Sequence, residues 1–151
     1  MSSKRRLLTR LDCARAEKKL NKVAKLLRKV NNDINLFVRV HGFTRIDKSQ
    51  LTTSRHVFKH DAWGIVVKVP YLAELEAPAY SIPTVAVDLP DKLLRSSNYD
   101  YQSDVILIQP LAKVTKQEEG FKILCKRLYG NCDEHEGNVG WYKKCPVWID
   151  W

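Results

Sequence analysis

The sequence predicts an α+β fold: a small antiparallel sheet with a helix and a C-terminal hairpin, preceded by a basic helix. Three observations lead there. Met1 to His41 contains no Gly or Pro and is rich in Leu, Ala, Lys and Arg, all good helix formers. From Thr53 to Pro110 the chain breaks into short apolar runs bounded by Pro, Gly and Asp. A helical stretch and a two-stranded pattern then follow, and strands ahead of a helix and hairpin are the order of an α+β domain.

The N-terminal helix comes first. Cys13, Ala16, Leu20, Val23, Leu27 and Val30 are spaced 3, 4, 3, 4, 3, a heptad stripe that Ala24 and Leu26 broaden. Asn31-Asn32-Asp33 supplies polar residues suited to ending it. Lys18, Lys22, Lys25 and Lys29 lie off the stripe and are expected in solvent. Residues 1–32 carry eleven Lys or Arg against Asp12 and Glu17, a net +9, whereas residues 33–151 balance fifteen basic against fifteen acidic groups. The chain therefore divides into a basic amphipathic arm, 1–32, and a neutral α+β domain, 33–151. The stripe has three outlets: packing on the domain, pairing with a second copy as a coiled coil, or leaving residues 4–29 to contact nucleic acid or another acidic partner.

Among the strands, Leu36 to Val40 is β-prone and Gly42 turns it. Thr53 to Lys59 is a second strand, and His60-Asp61 turns into Trp63 to Val69, apolar enough for a central position, with Pro70 ending it. A short helix is expected over Leu72–Ala77. Strands follow at Thr84–Leu89 and Asp104–Pro110. Thr115–Tyr129 reads as a helix despite Gly120, with Phe121, Leu124, Cys125 and Leu128 on one face and Gly130 as its stop. Val139–Tyr142 and Pro146–Ile149 form a hairpin around Lys143-Lys144.

With 151 residues, 44% of them apolar and 28% charged, the chain is of globular type, neither disordered nor fibrous. Its apolar runs are far short of the ~20 residues of a membrane span. Lys4, Arg5 and Arg6 have no apolar segment behind them, so no signal peptide is expected and the protein is assigned to the cytoplasm. Its four cysteines are then expected as reduced thiols. Cys125, Cys132, His135 and Cys145 make a Cys₃His set, but the gap between Cys125 and Cys132 is too long for a zinc knuckle.

The residues that carry chemistry lie near the C-terminal end. Asp133 and Asn138 have the Asp-x₄-Asn spacing of a kinase catalytic loop, and Asp150 follows an apolar strand, where a metal-binding Asp sits. Upstream, Val66-Val67-Lys68-Val69 has the pattern of the strand whose lysine pairs with nucleotide phosphates. Phosphoryl transfer needs a cation on the phosphates, oxygen ligands for Mg²⁺, and a carboxylate to orient the nucleophile.

On these residues the sequence resembles the protein-kinase-like family, in particular the small, divergent kinase-like proteins of bacteriophages. Asp133-Glu-His-Glu-Gly-Asn138-Val followed by Pro146-Val-Trp-Ile-Asp150 is similar to their Asp-x-His-x-Gly-Asn and Ile-Asp blocks. Arg55 to Asp61, leading into Val66-Val67-Lys68, is similar to the strand pair that crosses the nucleotide, and Val105 to Pro110 to the strand entering the hinge. Over residues 50–151 the resemblance implies a minimal kinase-like fold without a full C-terminal lobe. It implies Lys68 on the ATP phosphates, Asn138 and Asp150 on Mg²⁺, and Asp133 as the catalytic carboxylate. The expected function is a Mg-nucleotide-dependent phosphotransferase acting on a host protein in the host-cell cytoplasm. Leu51-Thr-Thr-Ser54 stands in place of a glycine-rich loop, and Asn131-Cys132 in place of His-Arg. Two alternatives therefore stay open: an inactive pseudokinase that binds and inhibits a host protein, and a basic nucleic-acid-associated protein.

Overall fold

Helix α1 spans Arg10–Lys29 in the computed structural model, which describes residues 7–46, 54–70, 80–90, 105–127 and 139–149. It opens on a reciprocal cap: the Asp12 N–H donates to Thr9 Oγ1 and the Thr9 N–H to Asp12 Oδ2, both at 3.1 Å. Two N–H groups that the first turn leaves orphaned are satisfied in this way. Asn31 and Asn32, both left-handed (φ 55° and 57°), turn the chain out of the helix as expected.

The next segment corrects the sequence reading. Leu36–Val40 is not a strand but belongs to helix α2, Ile34–Val40. Asp33 caps it by accepting the Leu36 N–H at 3.2 Å, and Ile34, Phe37 and Val38 are buried at helical spacing. A side-chain cap and a buried i, i+3, i+4 face outweigh the β preference of Phe and Val, which is a weak, context-dependent bias.

Five strands form one antiparallel sheet: β1 (Thr44–Arg45), β2 (Ser54–His60), β3 (Ile65–Pro70), β4 (Val85–Asp88) and β5 (Val105–Pro110), in the order β1-β2-β3-β5-β4. Trp63, expected to open a strand, instead lies in the turn between β2 and β3. The expected helix over 72–77 lies outside the described residues. On one face of the sheet, Phe58, Ile65, Val67, Val69, Val87, Ile106 and Ile108 share a core with Leu20, Val23, Ala24 and Leu27 of α1 and with Ile34, Phe37 and Val38 of α2. Each large apolar side chain so buried contributes about 1.5–3 kcal/mol. From Leu20 to Leu27 the stripe of α1 is thus covered by the sheet, while Lys18, Lys22, Lys25 and Lys29 are exposed as expected.

Helix α3 (Gln117–Arg127) packs on a second sheet, the hairpin of β6 (Val139–Tyr142) and β7 (Cys145–Trp148). Leu124, Val139 and Trp148 are fully buried between them, and the Phe121 ring meets Trp148 edge-on at 6.0 Å. Gly120 makes this contact possible. A Cβ there would lie 2.7 Å from Val139 Cγ1, so close approach offsets the helix propensity that glycine gives up. The hairpin is held on both flanks: Lys113 and Trp141 exchange two backbone hydrogen bonds of 2.9 Å, and on the other side Ile82 N–H donates to the Trp148 carbonyl at 2.9 Å and Trp148 N–H to the Tyr80 carbonyl at 3.2 Å.

The architecture is α+β, as the element order predicts. No helix among the described residues is long and apolar enough to cross a membrane. Cys13 and Cys145 carry no disulfide, but Cys125 is disulfide-bonded, which corrects the expectation of four reduced cysteines. A sulfur in that state is no thiolate ligand, so the Cys₃His set does not stand as a zinc site.

Candidate functional site

The face of the sheet opposite α1 carries the polar groups. Alternation along β3 sends Ile65, Val67 and Val69 to the core and Lys68 to the other side. Register then sets Lys68 in a row between Val57 of β2 and Leu107 of β5, with Ala86 of β4 beyond. Val57 and Leu107 are buried, and Lys68 is only 4% exposed. An ammonium in such surroundings requires polar company, because burying a charge without it costs far more than one hydrogen bond returns. The carbonyl of Ile149 supplies part of that company, accepting from Lys68 Nζ at 2.8 Å.

Ile149 is the residue before Asp150 in the chain, so the strand lysine is tied directly to the segment leading to the expected metal ligand. The other strand of the hairpin is tied as well. Val139, which follows Asn138, has its carbonyl bonded to Gln117 Nε2 of α3 at 2.9 Å. Asp133, Asn138 and Asp150 themselves lie outside the described residues. Among those described, no three His, Cys, Asp or Glu side chains group as metal ligands.

Three further residues build this face, and none was singled out from the sequence. Gln109, 3% exposed on β5, donates through Nε2 to Thr84 Oγ1 at 3.1 Å, and the Thr84 hydroxyl donates to the Ile82 carbonyl at 2.9 Å. Since Ile82 N–H reaches the Trp148 carbonyl, a continuous polar path joins the sheet to β7. Gly140 is the third. A Cβ on it would lie 2.8 Å from Ile149 Cγ2 and 2.9 Å from Ala112 Cβ, so its lack of a side chain lets Ile149 fold over β6. The signal for Gln109 was present in the sequence, as a lone amide in the apolar run Val105–Pro110.

At the hairpin's far end, Tyr142 faces the start of α1. Burial, then the charges of Asp12 and Cys13, push its phenol above the ordinary range. The Cys13 thiol is likewise raised, by burial first and then by Glu17 and Asp12.

No family model matches the chain, and no curated protein or solved structure matches it significantly.

Proposed function

We propose that the protein binds a Mg-nucleotide on the sheet face that carries Lys68, beside the hairpin, as a minimal kinase-like phosphotransferase acting on a protein target of a host cell. The observation that supports this reading is the 2.8 Å bond from Lys68 Nζ to Ile149 O. It brings a buried cation of the central strand to the segment preceding Asp150, as a site built from both would require. In this reading Lys68 meets the phosphates, Asn138 and Asp150 offer oxygen ligands to Mg²⁺, and Asp133 takes the proton of the acceptor hydroxyl. Held by Asn138 and Asp150, Mg²⁺ would supply positive charge that neutralises the phosphates. The chain's own part is to place one cation and three oxygen-bearing side chains around them.

The test is a thermal-shift titration with ATP, with and without Mg²⁺, on the unaltered protein and on Lys68→Met and Asp150→Asn. Nucleotide at about a hundred times its dissociation constant adds about 2.7 kcal/mol of stability. The expected result is a Mg-dependent shift in the unaltered protein that both variants lose. Folded protein that shows no shift at millimolar Mg-ATP would transfer the reading to the pseudokinase alternative, in which the same face binds a protein partner.

A further inference from the structure

Independently of the nucleotide site, the solvent face of α1 carries an uncompensated basic stripe. Arg15, Lys18, Lys22, Lys25 and Lys29 follow one another at spacings of 3, 4, 3 and 4, and all five are exposed. At 100° per residue this row lies opposite the apolar row of Leu20, Val23 and Leu27 that the sheet covers. The stripe is therefore held rigidly outward, about 21 Å long at 1.5 Å per residue. Lys19 and Arg28 flank it, also exposed. Glu17 is the one exposed acid of the helix, and among the described residues none of the five basic side chains makes an ion pair. Like charges three and four residues apart weaken a helix, so this arrangement works against the element that bears it.

From this we infer that the exposed face of α1 docks on the phosphate backbone of a nucleic-acid duplex, without regard to sequence. The composition of the face selects that partner. A protein interface needs an apolar or aromatic centre, and lysine is depleted from such interfaces. Between Arg15 and Lys29 this face presents no aromatic and no large aliphatic side chain that is exposed. Single strands are held largely by stacking on aromatic rings, which α1 lacks altogether. An anionic membrane would be entered by the apolar face of an amphipathic helix, and here that face is already in the core. A row of lysines is a row of point charges, suited to phosphates and not to reading bases.

The experiment compares the full-length protein with two variants of equal charge. One replaces Lys18, Lys22, Lys25 and Lys29 by Gln; the other replaces the exposed Lys113, Lys126, Lys143 and Lys144 by Gln. Each is titrated with a mixed-sequence DNA duplex and an RNA duplex by fluorescence anisotropy across salt, and each is checked for an unchanged melting temperature. The expected result is binding whose log K falls with log salt at a slope of about −4 to −5, five contacts at about 0.9 each. Between 50 and 200 mM salt that is a loss of about 500-fold. The α1 variant loses the slope and the binding, while the second variant keeps most of both. Equal losses in the two variants would overturn the inference, because net charge and not the stripe would then be responsible. So would absence of duplex binding at 50 mM salt, or tighter binding to poly-glutamate or to phosphatidylserine vesicles at the same salt.

Discussion

On one face of the five-stranded sheet, Ile65, Val67, Val69, Ile106 and Ile108 meet the leucines and valines of α1 and the aromatic side chain of α2. On the other, Lys68 and Gln109 are buried almost as deeply, each held by a named partner. The two faces differ in what they demand of the residues opposite. An apolar face accepts any well-shaped hydrocarbon and is stabilised in proportion to area. A buried polar face tolerates only partners placed to within a few tenths of an ångström, because a donor left unmet costs more than the bond returns. The first face holds the domain together; the second fixes where the hairpin sits relative to β3, and with it the geometry on which the proposed chemistry depends.

Substitutions on each side separate the roles of the two faces. The largest effect is expected from Leu27→Ala, which opens a cavity under a fully buried side chain and should cost roughly 2–5 kcal/mol in urea unfolding. A silent Leu27→Ala would show that α1 is not part of the core. Gly140→Ala forces a methyl against Ile149 and Ala112 and should cost about 1–3 kcal/mol. It should also weaken any nucleotide-dependent shift, by moving the carbonyl that meets Lys68. Gln109→Leu removes one neutral hydrogen bond and should cost about 0.5–1.5 kcal/mol. Were it to cost as much as Leu27→Ala, the polar face would be the main source of stability and the contrast would fail.

The smallest effect is alkaline. Cys13 and Tyr142 are raised in the fold, so the neutral forms are favoured and the folded state holds their protons longer than the unfolded chain does. Stability is fully present below the unfolded pKa values and declines as pH rises through the folded ones. Alkylation of Cys13 should show a midpoint above the ordinary thiol range, and Glu17→Gln should lower it. An unchanged midpoint in that variant would remove the charge of Glu17 as a cause.

Sequence pattern foretells the fold where a residue's neighbours in space are its neighbours in the repeat. The α1 stripe, the central strand and the hairpin are all periodic, and periodicity is local. Pattern failed at Leu36–Val40, where a β-prone run was made helical by the Asp33 cap together with the buried face of Ile34, Phe37 and Val38. It also missed β1, whose two residues pair only with Phe58 and Lys59 of β2. The place of Lys68 on a central strand was legible in the apolar run around it. Its partner Ile149 was not, standing 81 residues away, and neither was the pairing of Gln109 with Thr84, 25 residues apart. Backbone carbonyls and amide–hydroxyl pairs carry no sequence pattern of their own.

The bonds on the hairpin's two flanks have a consequence for hydrogen exchange. Ile82, Lys113, Trp141 and Trp148 each direct an amide across a boundary between segments far apart in the chain. None of these bonds can form until the segments on both sides have come together, and contacts of that range close late in folding. The four amides should therefore behave as one cooperative unit, becoming protected together in a pulse-labelling experiment and reopening together under mild denaturant. Protection of the Lys113–Trp141 pair well before the Ile82–Trp148 pair would instead divide the clasp into two independent latches.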